Sequence, residues 1–182
     1  KLLDVPTFEK PQWDGKPFKG KTLYLYPEQG LGDSIQFVRY VFLLKDMGGK
    51  VLFKPQKSLE TLFKQSNIPV EIISNNVKDK DIDFDMHCSV VSLPYFLNAR
   101  PDNIPLSDKY LYSNPERADF YKEKYFNNNL FKVGIKWQGN TLGDANRAAS
   151  LENFYKLAEL KNIQLYSLQK DFGAEQLKNK PD

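Results

Sequence analysis

Cysteine and histidine are almost absent from this 182-residue sequence, which contains one of each, Cys88 and His87. A single cysteine excludes an intramolecular disulfide framework, which small secreted domains use for stability. Structural zinc sites take their ligands mostly from cysteine and histidine, so the same scarcity excludes the common zinc patterns. The lack of a disulfide framework makes a reducing compartment the default, and we predict a cytoplasmic protein.

Long apolar runs and clusters of basic residues are also missing. No segment approaches the ~20 apolar residues that a membrane-spanning helix needs, so we predict no membrane span. The 26 Lys and Arg residues nearly balance the 23 Asp and Glu residues, which gives a net charge of +3. Since no Lys/Arg block is present to contact a phosphate backbone, we predict no nucleic-acid partner.

Short apolar segments alternate with amphipathic segments along most of the chain, which is the pattern of an α/β protein. The predicted strands span 21–26, 50–55, 69–74, the first part of 82–98, 109–113, 131–140 and 163–170. The predicted helices span 34–49, 56–67, the second part of 82–98, 115–126 and 150–160.

This order of elements predicts one complete domain and the opening of another. Residues 1–20 are rich in Pro and Lys and predict a linker. Residues 21–128 predict an open parallel sheet of the Rossmann-like type. Residues 129–182 restart the pattern of strand, turn, helix and strand. They predict the first βαβ portion of a second Rossmann-like domain, which we expect to be truncated.

The segment PEQGLGDS, residues 27–34, links the first predicted strand to the first predicted helix. In open α/β sheets, ligands bind outside the carboxyl ends of the strands, so this glycine turn lies where a ligand is expected. Capping of the helix by Asp33 or Ser34 would explain the turn without any further function. A carboxylate held at this position is also well placed to take a proton from a substrate hydroxyl.

The glycine turn departs from the two common phosphate-binding loops. Gly30 and Gly32 satisfy the first part of G-x-G-x-x-G, but Ile35 stands where the third glycine is required. No Gly-Lys-Ser/Thr follows, as a Walker A loop requires. These departures disfavour a nicotinamide or nucleoside triphosphate site.

Three stretches carry a resemblance to a known family: EQGLGDSIQFVRY (28–40), FDMHCSVVSLPYFL (84–97) and VGIKWQGN (133–140). Between Trp13 and Lys170, the chain resembles the glycosyltransferase-like region that follows tetratricopeptide repeats in many bacterial proteins. That region is similar to the heptosyltransferase-type enzymes of family 9 and, more distantly, to O-linked N-acetylglucosamine transferases. The resemblance implies a GT-B fold, in which two Rossmann-like domains face each other across a cleft.

The resemblance also implies a reaction and its partners. A sugar is expected to pass from a nucleotide-sugar donor to a hydroxyl group of a protein or glycan acceptor. No cofactor and no metal are expected, because this family usually works without one. Tetratricopeptide repeats upstream in the same protein are implied as a further partner.

Site residues follow from the resemblance position by position. Asp33 matches the candidate general base, and the glycines beside it match residues that let a substrate approach the backbone. The residues expected to bind the acceptor are Glu28, Gln29, Gly30, Gly32 and His87. The residues expected to meet the donor diphosphate are Lys136, Asn140 and Arg147. A guanidinium binds phosphate oxygens in a bidentate manner, which makes Arg147 the stronger candidate of the three.

The chain departs from the family pattern at two points. Ala148 and Ala149 follow Arg147 where a serine is usual. The acidic segment that holds the nucleotide in this family is not among these 182 residues, in keeping with the expected truncation of the second domain. Both departures concern the donor side of the expected site.

Other interpretations of the same residues remain open. Asp83 and Asp85 form an Asp-x-Asp pair, through which another class of glycosyltransferase binds Mn²⁺ or Mg²⁺ with a nucleotide diphosphate. His87 is either a hydrogen-bonded structural residue or an acceptor-binding residue at the same sheet edge as Asp33. The competing function is a non-catalytic Rossmann-like module through which a repeat protein binds a partner.

Overall fold

The computed structural model describes residues 6–28, 30–105, 109–139 and 148–179. Contacts divide the chain into two compact units, Lys1–Pro115 and Glu116–Asp182. The strands are β1 (Thr22–Tyr26), β2 (Lys50–Phe53), β3 (Glu71–Ile72), β4 (Met86–Ser89), β5 (Phe131–Ile135) and β6 (Ile163–Ser167). The α-helices are α1 (Leu31–Phe37), α2 (Glu60–Gln65), α3 (Leu93–Phe96), α4 (Pro115–Tyr125) and α5 (Tyr155–Ala158). Short 3₁₀ helices span Val38–Met47, Lys57–Leu59, Asp79–Asp81, Val90–Ser92, Leu151–Phe154 and Ala174–Asn179.

The four strands of the first unit form one parallel sheet in the order β3-β2-β1-β4. β1 is an inner strand, and its Leu25 lies opposite Phe53 of β2 and Cys88 of β4. The predicted α/β class with a parallel sheet is therefore confirmed at this level. The same order begins the doubly wound sheets of Rossmann-like proteins, with which the arrangement is compatible.

One face of the sheet, here called the first face, packs against the helices that follow β1 and β2. α1 continues directly into the 3₁₀ helix Val38–Met47, although the sequence predicts one α-helix over 34–49. Val38, Val41 and Leu44 are fully buried in this core. They recur every third residue, which matches the three residues per turn of a 3₁₀ helix rather than the 3.6 of an α-helix. The predicted end of the helix is confirmed, because Gly48 has the left-handed φ of 81° that glycine tolerates.

The segment before β1, for which the sequence predicts a linker, adds two aromatic side chains to the same core. Trp13 and Phe18 are 2% and 3% exposed. The Trp13 backbone N–H donates to the carbonyl of His87 on β4 (2.9 Å), and the His87 N–H donates to the carbonyl of Pro11 (3.1 Å). Gln12 thereby forms a parallel bridge beside β4. Backbone pairing and apolar burial fix this segment to the edge of the sheet.

The opposite face of the sheet, here called the second face, carries an aromatic cluster. The cluster contains Tyr24 and Tyr26 of β1, together with Leu52, Ile82 and Phe84. The last two residues belong to the connection from β3 to β4, so this connection crosses the second face. Phe8 packs against the same cluster from the N-terminal segment.

The predicted strand 109–113 is wrong. Residues 109–113 form no regular structure. Side chains of other residues form hydrogen bonds with their backbone groups instead. The Tyr112 N–H donates to Ser66 Oγ (3.0 Å), and Gln65 Nε2 donates to the Tyr112 carbonyl (2.7 Å). The Tyr110 hydroxyl donates to the carbonyl of Ile35 (2.8 Å). The apolar residues of this segment therefore attach it to the helices, which explains why an apolar pattern appears without a strand.

The second unit contains the parallel pair β5-β6. Its small core is formed by Ile135, Trp137 and Leu151. The Tyr166 hydroxyl of β6 donates to the carbonyl of Tyr125 at the end of α4. This contact groups α4 with the second unit, whereas the sequence predicts a boundary after residue 128.

Replacement of Gly49 by alanine is expected to destabilise the first unit. An added Cβ would overlap the Phe18 ring and lie 2.6 Å from the Lys21 carbonyl oxygen, so the chain must shift. Overpacking of this kind costs ~1–3 kcal/mol in the free energy of unfolding. Urea unfolding, monitored through amide exchange in β1, measures the change in the free energy of unfolding. Gly32→Ala is the matched control, because nothing lies within 4 Å of its added Cβ, and an unchanged Gly49→Ala protein would contradict the packing described.

Glu60 is expected to make stability depend on pH under acidic conditions. Its carboxylate accepts hydrogen bonds from Lys64 Nζ (2.6 Å) and from Asn75 N (3.0 Å) and Nδ2 (2.9 Å). These bonds lower the pKa of Glu60 to about 2, from 4.5 in the absence of partners. Because the folded-state pKa is the lower one, the stabilisation is fully present above pH 4.5 and is lost as the pH falls towards 2.

The stability difference between the wild-type chain and Glu60→Gln should therefore be constant near neutral pH and shrink between pH 4.5 and 2. Urea unfolding at a series of pH values measures this difference. Glu71→Gln is the control, because Glu71 pairs with Lys50 at an exposed position. At neutral pH, Glu71→Gln should lower the free energy of unfolding by less than Glu60→Gln does. If the stability difference between wild type and Glu60→Gln were as large at pH 2 as at neutral pH, the lowered pKa of Glu60 would be refuted.

Candidate functional site

The glycine turn leaves β1 at Tyr26 and enters α1 at Leu31, with Gly30 as the residue that precedes the helix. Asp33 is the third residue of α1, and its Oδ2 accepts a hydrogen bond from the Gly30 N–H (2.9 Å). Helix α1 thus begins at Leu31, whereas the sequence predicts that the helix begins at Ser34. Asp33 stabilises the helix start from within the first turn, as a capping carboxylate does. Gln29, an expected acceptor-binding residue, lies outside the described residues.

The strand order gives the glycine turn its place in the sheet. The chain goes from β1 to β2 and β3 on one side and returns to β4 on the other side of β1. The point between β1 and β4 is the topological switch point, and ligands of open α/β sheets bind outside the carboxyl ends of the strands there. Glu28 follows the carboxyl end of β1 and is half-buried, whereas Gly30 is exposed. The expected residues Glu28, Gly30, Gly32 and Asp33 therefore all follow the carboxyl end of an inner strand.

The Glu28 carboxylate influences one group on β1 and one on β4. Burial raises the pKa of Tyr26, and the negative charge of Glu28 raises it further. Burial also raises the pKa of the Cys88 thiol to about 12, with a smaller contribution from Glu28. Cys88 is therefore a protonated thiol at neutral pH and has little nucleophilic character. These effects bring Glu28, Tyr26 and the end of β4 into one electrostatic environment.

A cation that sequence reasoning missed lies at the end of β2. Lys54 Nζ donates to Asp79 Oδ1 (2.6 Å) and to the Val77 carbonyl (2.7 Å), and its side chain is 15% exposed. The Tyr24 hydroxyl donates to the same Asp79 oxygen (3.4 Å). Burial is the main cause that raises the pKa of Tyr24, and the negative charge of Asp79 raises it further. Because Asp79 is distant in sequence, no local pattern indicated this pair.

His87 lies on the second face, opposite Tyr24, and is therefore not part of the glycine turn itself. Burial lowers the pKa of His87, while a hydrogen bond with the Lys10 backbone acts in the opposite direction. The imidazole is consequently neutral at pH 7. Among the described side chains, the buried His87 Nδ1, Ser34 Oγ and Ser89 Oγ have no hydrogen-bond partner.

The Asp-x-Asp pair lies at the wrong edge of the sheet for a shared site with the glycine turn. Asp85 Oδ2 accepts a hydrogen bond from the N–H of Thr22 (2.7 Å), which is the first residue of β1. The pair therefore marks the amino edge, and the glycine turn marks the carboxyl edge. Within the described ranges, no group of three or more His, Cys, Asp or Glu side chains could hold a metal ion.

In the second unit, the end of β5 was expected to meet the donor diphosphate. Lys136 follows β5 and is exposed, whereas Asn140 and Arg147 lie outside the described residues. The backbone N–H groups of Trp137 and Gln138 both donate to Gln169 Oε1 (3.1 Å each), and Gln169 Nε2 donates to the Gln138 carbonyl (2.8 Å). Gln169 therefore fixes the turn after β5 to the turn after β6. Nothing in the sequence indicated this role, because the partners of Gln169 are distant in sequence.

Replacement of Gln169 by alanine is expected to loosen the turn after β5. The variant leaves the N–H groups of Trp137 and Gln138 without their acceptor, and loss of such a partner costs ~1–3 kcal/mol when the group is buried. Amide exchange of these two residues should accelerate, while exchange in β1 of the first unit should not change. Gln164→Ala is the control, because Gln164 is exposed on β6. Equal exchange rates in both variants would contradict the role of Gln169.

No helix within the described ranges combines the length and apolar character required to cross a bilayer. Comparison of the chain with protein-family models, with curated proteins and with solved structures finds no match.

Proposed function

We propose that this chain belongs to a glycosyltransferase-like protein that transfers a sugar from a nucleotide-sugar to a hydroxyl acceptor. The observation that supports this proposal is the position of the glycine turn. The turn follows an inner strand of a β3-β2-β1-β4 parallel sheet at its switch point, and it carries Glu28 and Asp33. In this proposal, the first unit supplies the acceptor side, and the second unit supplies the beginning of the donor side of a GT-B arrangement.

The proposed reaction exchanges one carbon–oxygen bond for another. The acceptor hydroxyl oxygen bonds to the anomeric carbon of the donor sugar, and the bond from that carbon to the diphosphate oxygen breaks. The bonding electron pair leaves with the diphosphate. The hydroxyl proton passes to the Asp33 carboxylate. Since an alcohol is a far weaker acid than a carboxylic acid, this proton moves only as the new bond forms.

The donor diphosphate is the group that the second unit would bind. Lys136 follows β5 and provides an exposed ammonium group at the carboxyl edge of that strand. Asn140 and Arg147 are proposed to act with it, on the resemblance alone. A cation at this place would offset the charge that the leaving diphosphate gains.

A non-catalytic interaction module is the second candidate, and one observation favours it. The Asp33 carboxylate is engaged by the Gly30 N–H, and this bond alone is a sufficient structural reason for an aspartate at the third helical position. In that case, the glycine turn serves only to start α1.

Asp33→Asn separates the two candidates. The amide oxygen of asparagine still accepts the Gly30 hydrogen bond, but the side chain no longer accepts a proton. A catalytic base contributes roughly 10²–10⁴-fold to the rate, so turnover should fall by about that factor while donor affinity stays nearly constant. Release of nucleoside diphosphate from UDP-, GDP- and ADP-sugars, with glycan and protein acceptors present, measures turnover in the intact protein. Calorimetry with the same nucleotide-sugars measures donor affinity.

Two variants serve as controls for this experiment. Asp46→Asn makes the same chemical change at an exposed position of the first unit. Asp33→Ala removes both the hydrogen-bond acceptor and the base, and its additional loss of stability reports the structural contribution of Asp33. Turnover that is unaltered in Asp33→Asn, or no binding of any nucleotide-sugar by the wild-type protein, would exclude the catalytic role and favour the interaction module.

A further inference from the structure

The register of β1 and β4 places a strip of polar side chains on the second face of the sheet. Tyr24 lies opposite His87, and Tyr26 lies opposite Ser89. Side chains alternate between the two faces along a strand, so these four residues share one face. Their neighbours Leu23, Leu25, Met86 and Cys88 point to the other face and contribute to its apolar core. The second face therefore differs in chemistry from the first.

Two groups of this strip are buried without a hydrogen-bond partner in the described structure. Ser89 is 2% exposed, and its Oγ has no partner. The Nδ1 atom of His87 is also buried and has no partner. Buried polar groups in native proteins are normally paired, and each exception calls for an explanation.

The ring of Phe8 packs against three residues of this strip, Tyr24, Tyr26 and His87. Its centroid lies 4.5 Å from that of His87 and 5.0 Å from that of Tyr26. It also makes edge contacts with Tyr24 (5.8 Å) and Phe84 (5.7 Å). A phenyl ring packs against these side chains but offers no hydrogen bond to His87, and Ser89 lies beside this contact, opposite Tyr26.

A pyranose ring has about the size of a phenyl ring, but its edge carries polar groups. Its C–H faces pack against aromatic rings, and its hydroxyl groups donate and accept hydrogen bonds around the rim. We propose that the second face binds a pyranose ring of a glycan acceptor in the place that the Phe8 ring occupies, with sugar hydroxyls bonded to His87 Nδ1 and Ser89 Oγ. This inference rests on the proposed function, because it specifies the acceptor of that reaction as a glycan.

The ionisation of the strip suits a neutral ligand. His87 is neutral at pH 7, because burial lowers its pKa, so Nδ1 is able to accept a hydrogen bond from a hydroxyl. Tyr26 is protonated, because burial raises its pKa. Glu28 supplies a carboxylate close to Tyr26, and carboxylates are strong acceptors for hydroxyl donors.

Phe8 and the sugar compete for one position in this proposal. A protein that binds only when Phe8 has moved away shows an apparent affinity reduced by the fraction of molecules in the open state. Removal of the Phe8 ring should therefore strengthen binding. Removal of the Ser89 hydroxyl should weaken it, by about 2- to 13-fold for one hydrogen bond.

The single histidine of the chain provides a direct readout, since its imidazole NMR signals belong to His87 alone. The probes are the methyl glycosides of glucose, galactose and mannose, titrated into wild type, Phe8→Ala and Phe8→Ala/Ser89→Ala. At least one glycoside should shift the His87 signals, with a Kd in Phe8→Ala about threefold or more below that of wild type. The double variant should show a Kd about 2- to 13-fold above that of Phe8→Ala.

Matched controls test whether these effects belong to the second face. Phe131→Ala removes an aromatic ring that is 70% exposed in the second unit, and Ser66→Ala removes a serine hydroxyl that is 4% exposed in the first unit, away from the glycine turn. Neither should change the Kd. Phe8→Leu keeps an apolar contact with the cluster and replaces Phe8→Ala if the latter does not fold.

Absence of any shift with all three glycosides in a folded Phe8 variant would overturn the inference. So would a shift whose Kd is unaffected by Ser89→Ala. Transfer activity is tested separately through Asp33→Asn. If the glycosides bind as described but no nucleotide-sugar is turned over, the proposed function fails and the sugar site remains.

Discussion

The parallel pairing of β1 with both β2 and β4 is the interaction on which the rest of the first unit depends. Leu23 and Leu25 are fully buried between the neighbouring strands. A parallel strand cannot slip by one residue without exchanging its two faces, because side chains alternate with a period of two. The register therefore fixes the exit of the chain at Tyr26, and with it the glycine turn. It also fixes which residues of β4 lie beside that exit.

The two faces of the sheet differ in what covers them and in the side chains that they carry. The first face is covered by helical turns and by Trp13 and Phe18, so it supplies most of the apolar burial. The second face is covered by the connection to β4 and by Phe8, which leaves room for tyrosines, a histidine and a serine. A sheet that is stabilised mainly from one side can carry polar groups on the other. The candidate sites follow from this division, because the polar groups concentrate at the carboxyl edge and on the second face.

The elements that the sequence could predict are those marked by local apolar runs. The strands at 21–26 and 50–55 and the helix end at Gly48 follow from composition and turn chemistry over a few residues. The 3₁₀ winding of Val38–Met47 depends on tertiary burial at every third position, which an α-helical pattern resembles. The apolar segment 109–113 gave a false strand, because its aromatic residues pack onto helices. Long-range partners, such as Asp79 for Lys54 or Gln169 for Trp137, had no local signal at all.

The hydrogen bond between Asp33 and Gly30 does not exclude a catalytic role for the same carboxylate. It uses Oδ2, and a carboxylate has two oxygens that each accept hydrogen bonds. The bond also restricts the side chain to one orientation, and such restriction is required of a base that must meet a hydroxyl at a fixed distance. A fixed carboxylate position suits a reaction in which the proton moves only while the carbon–oxygen bond forms.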